Sequence, residues 1–190
     1  MNKSLPRLEG ARTVLRMATE DDIREIISYY TRNREYLAPF EPRRGKDFYT
    51  YSYWYEEIER RSYQFSSDRS LKLFLSKKDN LKKIVGSVNF SNFIRGSFQS
   101  CTLGYSLAEA EQGKGYMTEA LKVAIAYTFK DLNLHRIMAA YLPHNQRSGK
   151  LLKRLGFKVE GYAYDYLSID DRWEDHVLTS LINPNWQKSN

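Results

Sequence analysis

The sequence holds one cysteine, Cys101, in 190 residues. That excludes an internal disulfide and any multi-cysteine zinc site, and a small buried hydrophobe is the simplest role for it. Histidine is scarce too. The three, at 135, 144 and 176, never take H-x-x-x-H spacing, so no metal is expected. No stretch approaches the 18 apolar residues a membrane span needs. The opening residues, MNKSLPRLEG, lack the apolar core of a signal peptide. A cytoplasmic protein is the expectation. There is also no fixed-period repeat, no low-complexity linker and no abrupt change of composition. One domain over 1–190 is expected, long enough to bury a proper core.

Acidic residues are absent from one long segment. Residues 133–158 hold six Lys or Arg and no Asp or Glu, within a chain of net charge +7. Such a patch favours a polyanionic partner: nucleic acid, the ribosome or a nucleotide cofactor. From charge alone, a solvated basic helix face is the simpler reading. Fifteen tyrosines are what the chain has in abundance. They can fill a core or line a pocket.

Periodicity predicts a strand over 11–18, a helix over 19–33 opened by Thr19 and acidic residues, and a loop over 37–48. A helix over 49–65 carries an aromatic stripe expected to face the core. Strands follow at 70–76, 84–93 and 100–107, with turns at 77–83 and near 95–97. A helix over 117–131 shows the stripe Met117, Ala120, Leu121, Ala124, Ile125 and Thr128. A strand at 136–142 and a short helix at 145–156, closed by Gly156, come next. Two last strands, 157–169 and 172–182, flank a hairpin turn at Asp170–Asp171. The order implies an α+β, three-layer fold. Its centre is a mixed, mostly antiparallel sheet with helices on both faces.

The segment QGKGYM (112–117) follows a strand and opens a helix. Glycine allows positive φ and close approach of a ligand to the backbone. The first N–H groups of a helix lack internal partners, and the dipole there favours an anion. A pyrophosphate cradle is one reading. A plain strand-to-helix turn is the other, since neither G-x-G-x-x-G nor G-x-x-x-x-G-K-[ST] is present.

The next motif, N-x-x-S-x-x-L-L-x-x-L-G-F over 145–157, tips the balance. With QGKG it resembles the GNAT acetyltransferases, which use acetyl-coenzyme A and share a [QR]-x-x-G-x-[GA] pattern. Gln112 and Gly115 match that pattern; Met117 departs from it in the manner of the ribosomal-protein-alanine N-acetyltransferases of RimJ/RimL type. The stretches NFSNFIRGSF, LGYSL, HRIMAAYLPHNQRSG and EGYAYDYL resemble the RimJ side of that branch, and the likeness runs from about residue 10 to 186.

The resemblance implies a GNAT fold with two parallel strands, 100–107 and 136–142, splayed like a V. It implies pantetheine along Tyr105, Ser106 and Leu107. The pyrophosphate would lie on the loop of Gln112, Gly113, Lys114, Gly115, Tyr116, Met117 and Thr118. Asn145 would touch the cofactor arm, and Arg147, Lys150 and Lys153 would screen its phosphates. The activity implied is direct acetyl transfer to the N-terminal alanine of a small-subunit ribosomal protein. Ser148 is the candidate acid for the leaving thiolate and Asp165 the candidate base, with Glu160 and Asp175 as rivals. Glu41, Asn89 and Tyr105 are candidates for the acceptor groove. A Ser-His-Asp hydrolase from His144, Ser148 and Asp175–His176 lacks a G-x-S-x-G elbow. Two other readings stay open: a small-molecule amine as acceptor, and a ribosome-assembly or RNA-binding factor using the basic patch. A polyamine suits a basic chain poorly.

Overall fold

The structure is a computed structural model and describes residues 5–187. The stripe read over 117–131 forms α4 (Tyr116–Lys130), and its six residues are the buried ones of that helix. They pack on a sheet face built from Leu71, Leu73 and Leu75, from Val85, Val88 and Phe90, and from Leu103. Each fully buried Leu or Ile contributes roughly 1.5–3 kcal/mol, so this face anchors the fold.

Eight strands make one sheet: β1 (Arg7–Glu9), β2 (Thr13–Arg16), β3 (Leu71–Lys77), β4 (Asn80–Ile94), β5 (Ser100–Leu107), β6 (Arg136–Tyr141), β7 (Lys158–Ile169) and β8 (Arg172–Ile182). Their spatial order is β1-β2-β3-β4-β5-β6-β8-β7. All neighbours are antiparallel except β5 and β6. α4 and α5 (Gln146–Arg154) cover one face. α1 (Ile23–Arg32), α2 (Arg34–Leu37) and α3 (Tyr51–Ser66) cover the other, over a second core of Ile23, Ile26, Tyr29, Trp54 and Phe74.

Several expectations needed correction. The first strand is shorter than 11–18 and pairs with β1, which three residues were too few to announce. The segment over 37–48 is not structureless: it holds the end of α2 and two short 3-10 turns. The 77–83 turn shrinks to two residues, because Lys77 already pairs with Asn80 and β4 runs on through the lysines. The aromatic stripe of α3 divides. Trp54 and Phe65 are buried, whereas Tyr51, Tyr55 and Tyr63 face outward. At the last hairpin, Asp170 and Asp171 both take positive φ (45° and 65°), as a primed two-residue turn requires.

Candidate active site

β5 and β6 pair at only three positions, Ser100–Arg136, Cys101–Ile137 and Thr102–Met138. Beyond these, β5 stays paired with β4 to Leu107, and β6 with β8 to Tyr141. The two parallel strands therefore part as a V. Among the described residues, the β6-facing edge of β5 over 103–107 has no strand beside it.

Tyr105 and Ser148 meet at the mouth of this V, their hydroxyls 2.7 Å apart. Tyr105 comes from β5 and Ser148 from the first turn of α5. Burial pushes the Tyr105 phenol up to about 12, against the opposing pull of the Ser148 bond, so it keeps its proton near neutrality. Asn145 caps α5: its side-chain oxygen accepts the Ser148 N–H at 3.1 Å, which leaves its amide NH2 to donate. Gly149 lets the helix sit down on β6, since a Cβ there would lie 2.9 Å from the Tyr141 ring.

The Gly113–Thr118 loop closes one end of the V. Gly113 and Gly115 both take positive φ (75° and 82°), the region that glycine enters without strain. Among the described residues no protein acceptor takes the N–H groups of residues 113–118. Those donors and the α4 dipole make an anion cradle. The side chains around it have other tasks. Gln112 donates to the Leu107 carbonyl at 3.0 Å and ties the loop to the end of β5. Lys114 turns back to the Ala110 carbonyl (2.6 Å) and Glu111 (3.0 Å). Met117 is 5% exposed and belongs to the core. The Ser106 hydroxyl is taken up between Tyr29 and Ser87, 3.0 Å from each, and its main chain faces β4, where its carbonyl abuts Gly86. This corrects the expectation that Ser106 lines the cofactor arm, since the alternation turns Tyr105 and Leu107 to the open edge.

Two basic residues stand at the cradle that the motifs did not single out. Arg154 donates to the Thr118 hydroxyl at 3.4 Å. Arg12 donates to the Lys114 carbonyl at 3.2 Å and lies 4.7 Å over the Tyr116 ring. Arg147, by contrast, reaches the Tyr36 hydroxyl at 3.3 Å, and Lys150 and Lys153 point to solvent. The helical period hid Arg154 among neighbours of the same charge. Arg12 lies a hundred residues before the motif.

The acceptor-groove candidates Glu41 and Asn89 belong to the α1–α3 side. A cavity of about 400 Å³ is bounded there by Tyr30, Arg34, Glu41, Arg44, Tyr49 and Asp170 among others. Glu41 accepts from Arg44 at 3.0 Å. Asn89 lies nearer the centre of the sheet, its side-chain oxygen buried and unpartnered. Arg43 joins Asp171 at 2.5 Å, so the β7–β8 tip closes over this side.

The three carboxylate candidates sit differently. Glu160 bonds Arg136 and Ser180, at the paired end of the V. Asp175 lies past the last β6–β8 pair, Tyr141–Val177. It accepts the Asp165 N–H (2.9 Å) and the Tyr162 hydroxyl (2.8 Å), which together hold its carboxyl below the usual range. Asp165 is exposed, in a bulge of β7 with φ 45°, and its carboxylate has no bonded protein partner among the described residues.

A sheet split beside a parallel pair, with an anion cradle at one end and hydroxyls at its mouth, is a cleft suited to a long ligand that carries phosphate. The family model for the acetyltransferase (GNAT) domain matches residues 12–158. The chain belongs to the GNAT acetyltransferases, whose acetyl donor is acetyl-coenzyme A. It is 46% identical over 180 residues to the [ribosomal protein uS5]-alanine N-acetyltransferase of Escherichia coli K12, covering 95% of this chain and 92% of that one. Among solved structures it resembles the ribosomal-protein-S5-alanine acetyltransferase of Vibrio fischeri, with TM-score 0.91, 40% identity, and 96% and 100% of the two chains covered. It also resembles Mycobacterium smegmatis RimJ in complex with a coenzyme A disulfide, with TM-score 0.86, 25% identity, and 99% and 91% covered. The residues present fit such a cofactor: free N–H groups over 113–118, Arg154 beside them, and an open β5 edge.

Proposed function

We propose that the protein acetylates the N-terminal alanine of a small-subunit ribosomal protein by direct transfer from acetyl-coenzyme A. The 46% identity to the uS5-alanine enzyme, spread over 95% of the chain, supports the acceptor. A cytoplasmic setting and association with the ribosome or its precursors go with that acceptor.

The observation that carries the chemistry is the Tyr105–Ser148 contact across the mouth of the V. Acetyl-coenzyme A, when bound, supplies the thioester carbonyl that the amine attacks. The N–H groups of residues 113–118 and Arg154 would hold its phosphates, and the main chain of Tyr105 and Leu107, turned to the open edge of β5, would line its arm. Ser148 would give a proton to the leaving sulfur, while the Tyr105 hydroxyl, kept protonated by burial, would donate a hydrogen bond to the Ser148 oxygen until solvent restores the serine proton. An N-terminal amine has a pKa of about 7.7–8.0, so much of it is already neutral near pH 7.5. The base has only to take a proton as the bond forms. Asp165 is assigned that role because its carboxylate alone of the three is not engaged by the protein.

The test is to offer acetyl-coenzyme A with peptides beginning Ala, Ser or Met, and with small amines including spermidine, while following free thiol. Turnover fastest on Ala peptides is expected. Turnover with small amines alone would overturn the reading.

A further inference from the structure

One line of residues crosses one face of the sheet. Lys72 on β3 pairs with Asn89 on β4, and Asn89 pairs with Gly104 on β5. Residues paired in this way share a face. It is the α1–α3 face, because Phe74, two residues from Lys72, packs with Trp54 and Ile23. Gly104 lies just past Thr102–Met138, where the V opens. A Cβ on Gly104 would meet nothing within 4 Å, so the sheet is bare there. The line runs outward from the mouth of the V to Lys72, whose ammonium feels the charge of Arg44 in the cavity wall.

Charge along it does not balance. The Lys72 ammonium donates to the Ser91 hydroxyl at 2.6 Å, and among the described residues no carboxylate lies within ion-pair distance. Burial first, then Arg61, lower its pKa to about 8; Arg44 and Arg60 push the same way and Glu57 opposes them. Glu57 is already shared by Arg60 and Arg61, and Glu41 is held by Arg44. The Arg44 Nε is buried without an acceptor. Among these neighbours of Lys72, the cations Arg44, Arg60 and Arg61 outnumber the carboxylates Glu41 and Glu57 that pair with them. At the cavity rim, Arg43 is already paired with Asp171. A half-buried cation without a counter-ion is costly, and an occupant that brings negative charge relieves it.

We propose that this floor is a carboxylate subsite, with Lys72 and Arg44 as the residues that set specificity. The acceptor it favours carries an acidic side chain a few residues behind its N-terminus. The proposal rests on the reading that the acceptor is a peptide N-terminus. Spacing narrows it further. Two strand separations of about 4.8 Å put Lys72 about 10 Å from Gly104. An extended peptide covers about 3.3 Å per residue, so the third or fourth acceptor residue lies over Lys72.

Peptides beginning with Ala and carrying a single Glu at positions two to nine, each matched by a Gln peptide, test this. A Glu-over-Gln advantage in kcat/KM of about tenfold, greatest at positions three and four and shrinking with added salt, is expected. Lys72→Gln should bring that ratio toward one, and Lys72→Arg should keep it, with circular dichroism reporting folding. A wild-type ratio near one at every position, with Ala peptides still turned over, overturns the subsite and leaves the acceptor reading intact. No turnover of any Ala peptide removes both. The wild-type series decides the matter even where a Lys72 variant does not fold.

Discussion

Glu119, in the first turn of α4, accepts both the backbone N–H (2.6 Å) and the Nε (3.0 Å) of Arg12, 107 residues earlier in the chain. It also accepts the Thr13 hydroxyl at 2.7 Å. This clasp fixes the start of α4, and with it the anion cradle, against the β1–β2 turn. Burial would raise the Glu119 carboxyl, but these three donors outweigh it and hold it below the ordinary range. A carboxyl depressed in the folded state stabilises the protein above the unfolded value of about 4.3. That contribution is lost as pH falls through the lower folded value. Glu119→Gln should therefore lower the melting temperature at pH 7, at a cost of about 1.5–3 kcal/mol, and the gap to wild type should narrow near pH 3. A gap that is equal at both pH values would show that the carboxylate charge is immaterial.

The hydroxyl pair is open to a double-mutant cycle. Ser148→Ala should lower kcat by about 10²-fold or more with little change in KM for acetyl-coenzyme A. Tyr105→Phe should cost less alone, and nothing further on top of Ser148→Ala, because both act through one hydrogen bond. Additive losses would separate them.

Asp165→Asn keeps a residue type that tolerates the φ of 45° found there. The change therefore removes the carboxylate and spares the bulge. Turnover on an Ala peptide should fall about tenfold or more, most at low pH, where the acceptor amine is protonated. An unchanged pH–rate profile would hand the base role to water or to Asp175.

Gly113→Ala and Gly115→Ala should each cost about 1–2 kcal/mol of stability through left-handed backbone strain. At Gly113 a Cβ meets nothing within 4 Å, so the penalty there is conformational and not steric. Calorimetric titration with coenzyme A should show weakened binding wherever the loop relaxes to negative φ.

Met117→Ala separates core from contact. Met117 is 5% exposed among Leu121, Leu103 and their neighbours, so truncation should cost about 2–5 kcal/mol. Coenzyme A affinity of the folded fraction should stay near wild type. A large loss of affinity without loss of stability would make the side chain a ligand contact.

Much of this was legible from residues in order. The α4 stripe and the bounds of β5 came from local period, which is enough where one face is buried and the other is not. Asp170–Asp171 was legible because turn chemistry is local. Arg12 was not, since its importance comes from a partner 107 residues away. Arg154 was hidden because a run of like charges does not say which member reaches the start of α4. The division of the α3 aromatics depends on which residues α1 and Phe74 cover, a tertiary matter. Lys72 looked like any lysine in an alternating strand. Its meaning lies in the arginines that α3 and the segment before it bring alongside.

The three-pair junction between β5 and β6 has a mechanical side. Five strands lie on one side of it and three on the other, so the sheet is two plates joined along a short seam. A coenzyme arm bonded to the free β5 edge would act as the missing length of that seam. Donor binding should then stiffen the molecule at the joint more than anywhere else. Amide exchange over 103–107 and 139–141 should slow on loading, well beyond the slowing in β3. Catalytic readiness and rigidity of the sheet would be the same event.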